Sequence, residues 1–267
     1  MKKPGDTKPV ESDSGAATHR PMVDFVVAGT QKSGTRALAH FLSQHPDIGL
    51  SLKTRPEPHF FDWILKESYE VIPPDAYQKY YNFFAQEALA KVTGDITPNY
   101  LYDTGSLARI RAYNPAMKVI VLLRNPIERA YSQWVMQTEM GRETRAFLPA
   151  LLHEFRTFRA IGQHKNFSYV QRGFYDGQIA RLQRLFPQEQ CLILRTESLQ
   201  EDHAKTLRLV FDFLGVSPIK IPPPEQVHAR DYAPMSPYAR RLLKSVFGLD
   251  IQRLEARLGW DCSAWQS

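Results

Sequence analysis

The sequence contains little cysteine, two residues in 267, and no apolar run that approaches the length of a membrane span. Cys191 and Cys262 are far apart in the chain, so no disulfide framework or zinc site is indicated. The first twenty residues also lack the apolar centre of a signal peptide. We therefore expect a cytoplasmic protein without an integral membrane segment, although a chain that had lost its anchor would show the same pattern.

Blocks of like charge are missing as well. The 34 Lys and Arg exceed the 28 Asp and Glu, which gives a formal net charge of +6, but the basic residues are spread along the chain. A nucleic-acid-binding surface needs them clustered, so we expect no nucleic-acid partner. The positive balance suits an anionic cofactor or an acidic acceptor, and it could equally serve solubility alone.

Short apolar runs alternate with amphipathic stretches along most of the chain. The runs predict strands at Val23–Ala28, Ile48–Leu52, Val119–Leu123 and Cys191–Leu194. The amphipathic stretches predict helices at Thr35–Ser43, Pro126–Met140, Phe174–Leu185, Ala204–Leu214, Pro237–Phe247 and Asp250–Leu258. This alternation predicts an α/β fold, a single domain with a central parallel sheet flanked by helices.

The remaining segments have no such pattern. Residues 1–20 are rich in Lys, Ser, Asp, Gly and Thr, which predicts disorder, and the folded domain is expected to span residues 21–267. Two proline clusters, Pro73-Pro74 and Pro222–Pro224, predict loops. Arg142–Gln171 is the least readable segment, and we expect it to be an insertion on the substrate side.

A glycine-spaced turn follows the first predicted strand. It reads Gly29-Thr-Gln-Lys-Ser-Gly34, and a helix-compatible stretch begins at Thr35. Glycine lets the backbone approach an anion closely, and the N–H groups of the first helical turn point at it. The sequence therefore predicts a P-loop-like phosphate cradle for a nucleotide.

The cradle differs from the Walker A loop of magnesium-dependent nucleotide hydrolases. Gly29 and Gly34 have the right separation, but Thr35-Arg36 follows where that loop carries Lys and then Ser or Thr. The lysine here is Lys32, inside the turn. The strand that ends at Leu123 is followed by an arginine rather than by a magnesium-binding Asp. We therefore expect a nucleotide handled without Mg²⁺.

Four motifs resemble those of the sulfotransferases that use 3′-phosphoadenosine 5′-phosphosulfate (PAPS), and most nearly those of the heparan-sulfate-type glycan sulfotransferases. The motifs are Lys32–Leu38, His45–Asp47, Glu57–Trp63 and Leu123–Ser132. A weaker likeness continues to the C-terminus. The resemblance implies that residues 21–267 form a sulfotransferase domain, that PAPS is the co-substrate and that no metal is required.

The resemblance also implies which groups bind the 5′-phosphosulfate. Lys32 and the backbone amides of Ser33, Gly34 and Thr35 would hold it. A fixed ammonium on Lys32 would stabilise the charge that builds on the oxygen from which the sulfuryl group departs. Arg36 would add positive charge, or its side chain could lie on the surface of the helix.

The 3′-phosphate and the adenine have their own candidate residues. Arg124 and Ser132 match the family's 3′-phosphate contacts and can converge if Asn125-Pro126 opens the following helix. Arg230 is a candidate second ligand of that phosphate. Tyr175 resembles the family's adenine-contacting tyrosine, and an ordinary core aromatic is an equal alternative.

Glu57 is the candidate catalytic base, since the matching glutamate of the family removes the acceptor's proton. His59 could be the base instead, or could orient the sulfate. One departure concerns the stretch beginning at Asp95, where the glycan enzymes carry a lysine and this chain has Ile96. The missing cation puts a strongly anionic glycan acceptor in doubt.

The expected reaction is sulfuryl transfer to an acceptor hydroxyl of a carbohydrate or glycolipid. A small-molecule or carrier-bound natural product is the alternative acceptor. A P-loop kinase or hydrolase, or a silent nucleotide-binding protein, is the alternative from another class. Lys32, Glu57 and the absent Walker residues weigh against those two.

Overall fold

The computed structural model describes residues 23–51, 56–64, 74–84, 90–164, 166–221, 223 and 233–266. Their five strands form one sheet: β1 (Phe25–Gly29), β2 (Ile48–Leu50), β3 (Val92–Ile96), β4 (Lys118–Leu123) and β5 (Cys191–Arg195). The strand order is β2-β3-β1-β4-β5, with every neighbouring pair parallel. The predicted α/β fold with a central parallel sheet is confirmed.

Helices connect the strands. They are α1 (Thr35–Leu42), α2 (Pro74–Asn82), α3 (Ser106–Tyr113), α4 (Pro126–Glu139), α5 (Phe147–Ile161), α6 (Tyr175–Leu185), α7 (Thr196–Glu201), α8 (His203–Leu214) and α9 (Pro237–Leu258). A π-helical turn covers Phe60–Ile64, and short 3₁₀ turns cover Gln171–Gly173, Gln188–Gln190 and Ser263–Trp265. Among the described residues, no helix has both the length and the apolar character needed to cross a membrane.

The sheet separates two apolar cores because successive side chains of each strand point to opposite faces. In β1, Val26 and Ala28 face one core, while Phe25 and Val27 face the other. The first core contains side chains from α3, α4, α6 and α9, and the second contains side chains from α1 and α8. With both faces covered, the strands need continuous apolar runs, and this is the pattern visible in β1 and β4.

Some predictions of local structure were wrong. Of the loop expected at Pro73-Pro74, Pro73 lies outside the described residues. Pro74 is instead the first residue of α2, because proline is well tolerated at the first position of a helix. The two helices predicted after residue 236 are one 22-residue helix, α9. The segment Arg142–Gln171, for which no element was predicted, contains the helix α5, and its place as an insertion on the substrate side stays a prediction. The end of the predicted second strand, Leu52, and the predicted disorder of residues 1–20 lie outside the described residues.

Strand β3 was not predicted at all. Its sequence, Val-Thr-Gly-Asp-Ile, has a glycine and a carboxylate at its centre, which reads as a poor strand. The glycine has a packing reason, since a Cβ on Gly94 would lie 2.0 Å from the Phe25 ring. The carboxylate, Asp95, is fully buried, and its partners are described below.

Candidate nucleotide and sulfuryl-transfer site

The cradle lies between the end of β1 and the start of α1. Lys32 adopts φ 72° and Gly34 φ 84°, so the turn winds through left-handed conformations. The Ser33 amide donates to the Thr30 carbonyl at 3.1 Å, and the two hydroxyls of these residues are 2.5 Å apart. Gly34 is the N-cap of α1 and provides no side chain to cap the first-turn amides. These amides suit an anion.

The neighbouring strands hold the cradle in place. The Thr30 amide donates to the Leu122 carbonyl at 2.8 Å. The Thr196 hydroxyl, at the start of α7, lies 2.8 Å from the Ser33 carbonyl and 3.1 Å from the Leu123 carbonyl. One hydroxyl therefore ties the turn to the ends of β4 and β5, which fixes the cradle before any ligand arrives.

Arg124 lies directly against the cradle, since its Nη1 donates to the Lys32 carbonyl at 3.2 Å. The Asn125 side chain accepts from the Ile127 amide at 2.9 Å and caps α4, with Pro126 as its first residue. This confirms how α4 was expected to open. Ser132 is buried two turns into α4. The 3′-phosphate contacts of Arg124 and Ser132 stay predictions.

Tyr175 lies in the core, with no exposed surface. Its hydroxyl donates to the Arg124 carbonyl at 3.0 Å, and its ring meets the edge of Trp265 at 6.3 Å between centroids. Burial raises the pKa of this phenol. This placement fits the alternative of an ordinary core aromatic, because the ring surface that an adenine contact would need is buried. Arg230 falls outside the described residues.

Glu57 is brought to the cradle by the first turn of α1. Its Oε1 lies 3.7 Å from the Arg36 guanidinium, whose side chain is largely exposed, so Arg36 lies on the helix surface and also reaches the site. Its Oε2 lies 3.3 Å from His59 Nε2. The predicted base is thus placed between the Arg36 guanidinium and the His59 imidazole, close to the phosphate cradle. Its catalytic role is not established by this placement.

His59 is held between two carboxylates. Its Nδ1 lies 2.9 Å from Asp62 Oδ2, and its Nε2 faces Glu57. Burial disfavours the imidazolium, but the hydrogen bonds to Asp62 and Glu57 outweigh it and raise the pKa of His59. A charged His59 would keep a cation beside the transferred sulfate, which suits the orienting role better than that of a base.

Asp62 was missed from the sequence, although it falls inside the Glu57–Trp63 motif, three residues after His59. That three-residue spacing was the available signal. In the structure Asp62 lies in the π-helical turn, and its carboxylate is 2.9 Å from His59, which directly precedes the turn. Thr196 was missed too, and no sequence signal marks it, because its contacts span the sheet. Ile96 belongs to the second apolar core, so it adds no polar group to the site.

A buried polar cluster supports the turn that carries these residues. Asp95, at the end of β3, accepts from Tyr80 and Tyr100 at 2.7 Å each and from Thr97 at 2.6 Å. The Tyr100 hydroxyl accepts the Phe60 amide at 3.0 Å, and the Thr97 hydroxyl accepts the His59 amide at 3.3 Å. Hydrogen bonds therefore connect Asp95 to the backbone at His59.

Fold and site together define an α/β protein with a P-loop-like phosphate cradle and a carboxylate–imidazole pair beside it. The chain belongs to the sulfotransferase domain family, which matches residues 23–229. This confirms the family indicated by the four motifs, and it does not favour the kinase, hydrolase or silent-binder alternatives. In the described ranges no group of three or more His, Cys, Asp or Glu is arranged to hold a metal ion.

Two similar relatives are heparan sulfate glucosamine 3-O-sulfotransferases. The chain is 32% identical over 216 residues to the mouse 3B1 protein, covering 81% of this chain and 52% of the relative. It is 33% identical over 194 residues to the human 3A1 protein, covering 73% and 44%. The chain thus spans about half the length of these relatives. The crystal structure of a sulfotransferase from Alicyclobacillus acidocaldarius superposes with TM-score 0.78 at 29% identity, covering 93% of this chain and 100% of that one.

Proposed function

We propose that this protein transfers a sulfuryl group from PAPS to a hydroxyl of a carbohydrate acceptor. The observation that carries the proposal is the position of Glu57, whose carboxylate lies 3.3 Å from His59 and 3.7 Å from Arg36 beside the cradle. The two similar glucosamine 3-O-sulfotransferases support the carbohydrate as acceptor.

In the proposed reaction the acceptor oxygen attacks sulfur while its proton passes to Glu57. The bond between sulfur and the phosphate oxygen breaks, and adenosine 3′,5′-bisphosphate leaves with the negative charge. Lys32 and the first-turn amides of α1 stabilise that charge where it develops. His59, held by Asp62, keeps Glu57 oriented and places its own charge near the sulfate.

A cavity of about 240 Å³ is a suitable place for the remainder of the acceptor. Its lining includes the residues Tyr102, Phe174, Gln163, Gln171 and Arg181. Aromatic faces, amides and a cation are the groups that bind sugar rings, hydroxyls and acidic substituents. Tyr102 also stacks on Arg172, 4.2 Å from its guanidinium carbon, and Arg172 connects to the Asp62 carboxylate through Asn99.

The test is turnover of PAPS with heparan sulfate oligosaccharides in the presence of a chelator. Glu57→Gln keeps the shape but cannot accept the proton, so we expect it to bind PAPS normally and to lose turnover by about 10²–10⁴-fold. His59→Ala should lose less. Glu201→Gln, an exposed carboxylate at the end of α7, is the matched control and should remain at the wild-type rate.

Three outcomes would contradict parts of the proposal. Wild-type turnover in Glu57→Gln together with complete loss in His59→Ala would make His59 the base. A strict need for added Mg²⁺ would overturn the metal-free mechanism. Transfer to a simple phenol but to no oligosaccharide would overturn the carbohydrate acceptor while leaving sulfuryl transfer in place.

A further inference from the structure

A buried cation reaches the Glu57–His59–Asp62 cluster from another part of the fold. Arg172 lies in the 3₁₀ turn Gln171–Gly173 and is 4% exposed. Its Nη1 donates to Asn99 Oδ1 at 2.5 Å, and its guanidinium stacks on the Tyr102 ring at 4.2 Å. Both partners belong to the segment that follows β3, so Arg172 is held on this segment by a hydrogen bond and a stacked ring.

Asn99 passes this contact on to Asp62. Its Nδ2 donates to Asp62 Oδ2 at 2.6 Å, and the same oxygen faces His59 Nδ1 at 2.9 Å. The amide therefore accepts from a cation at one end and donates to a carboxylate at the other. Such a chain polarises in one direction, which strengthens the donated bond. Asn99 and His59 therefore share one carboxylate oxygen.

The charges around His59 show why this sharing has an effect. Glu57 and Asp62 both face its imidazole and favour the charged form. Arg36 faces Glu57 from α1, and Asp95 lies close enough to Asp62 for the two carboxylates to interact. On the Asp62 side, Arg172 supplies the opposing positive charge, and Asp62 in turn favours the charged guanidinium.

We propose that Arg172, acting through Asn99, is a positioning residue that takes a share of the Asp62 carboxylate and so limits how tightly Asp62 holds His59. This rests on the proposed function in assigning Glu57 and His59 to the reaction. The buried cation of this site comes from the turn before α6.

The direct test is the NMR titration of the His59 imidazole, assigned by the signal missing from His59→Gln. Arg172→Met removes the charge, and Asn99→Leu removes the connecting amide. Arg172→Met leaves the Asn99 bond to Asp62 without its charged neighbour, and Asn99→Leu removes that bond. Both give His59 a larger share of the Asp62 carboxylate, so we expect the titration midpoint of His59 to rise by about one pH unit. Arg172→Lys keeps the charge without the planar donor fork and should give a smaller rise.

The matched control is Arg181→Met. Arg181 is another partly buried arginine, and it donates to the Leu101 and Tyr102 carbonyls of the same segment. The His59 midpoint should remain at the wild-type value in this variant. A midpoint unchanged or lowered in both Arg172→Met and Asn99→Leu would overturn the proposal, as would an equal rise in Arg181→Met. Thermal melts identify any variant that fails to fold. If Arg172→Met fails to fold, the His59 midpoint in Asn99→Leu decides the test.

Turnover of PAPS provides the second readout. A more basic His59 holds Glu57 more firmly, so kcat in Asn99→Leu should fall by about tenfold with little change in KM for PAPS. In the plot of kcat against pH for Asn99→Leu, the alkaline limb should move to higher pH together with the titration midpoint of the His59 imidazole. If the protein turned over no PAPS at all, the titration would still report on Arg172, so failure of the proposed function is distinguishable from failure of this inference.

Discussion

The buried carboxylate of Asp95 makes the stability of this protein depend on pH in a way that one substitution can isolate. Burial raises the pKa of Asp95 from 3.8 to about 6, although three hydroxyl donors lower it in part. Between pH 3.8 and about 6, the folded protein therefore keeps the proton on Asp95, whereas the unfolded chain has lost it. The contribution to stability is present below pH 3.8 and is lost as the pH rises through about 6.

The magnitude follows from the two pKa values. At 1.36 kcal/mol for each pH unit, the difference between 3.8 and about 6 corresponds to about 3 kcal/mol of unfolding free energy. About 2 kcal/mol of this falls between roughly pH 4.5 and 7.5, because the unfolded chain is already mostly ionised at the lower limit. Asp95→Asn keeps the shape and does not titrate.

The assay is urea unfolding followed by tryptophan fluorescence at several pH values in that window, with the wild type and Asp95→Asn in parallel. All other titrating groups are common to both proteins, so the difference in unfolding free energy isolates Asp95. We expect wild type to lose about 2 kcal/mol relative to the variant as the pH rises. Parallel curves would show that the pKa of Asp95 is the same in the folded and the unfolded protein. A difference of opposite sign would show that folding lowers this pKa. Either result would refute the reasoning.

Three further predictions concern the cradle. Arg124→Ala should weaken binding of PAPS by about 1.5–3 kcal/mol and leave adenosine 5′-phosphosulfate, which lacks the 3′-phosphate, nearly unaffected; calorimetry with both nucleotides checks this, and equal losses would make Arg124 structural. Lys32→Ala should lower kcat more than PAPS affinity, and an unchanged kcat in single-turnover kinetics would argue for a ground-state role. Asn125→Ala removes the cap of α4 and should cost about 1 kcal/mol in urea unfolding, with no loss expected if water replaces the cap.

The parts of the fold that sequence predicts are those with a local signal. Strands β1 and β4 read as continuous apolar runs because both of their faces are covered, and the cradle shows its two glycines and its lysine. Strand β3 was not predicted because its glycine and its carboxylate depend on partners outside the strand. Gly94 is required by the Phe25 ring, and Asp95 accepts from Tyr80, 15 residues earlier, as well as from Thr97 and Tyr100 just after the strand.

The same distinction applies to the site. Glu57 and His59 stand in one short motif and are found together in the structure as that motif suggested. Asp62, Asn99 and Arg172 meet only because the π-helical turn, the segment after β3 and a distant 3₁₀ turn converge. Hydrogen bonds between such segments have no periodicity or spacing in the sequence, so they become visible only in three dimensions.

The cradle directly follows β1, the middle strand of the sheet, and this position affects how the protein opens. Within the described part of the chain, strand β2 is paired on one side only, so it can detach when that single pairing breaks. Strand β1 can separate only if its pairings with both β3 and β4 break. Local opening is confined to the most weakly packed elements of a structure, and exchange of central-strand amides follows global unfolding. The phosphate site therefore persists when β2 detaches, and it is lost only when the central pairings of the sheet, β1 with β3 and β4, break.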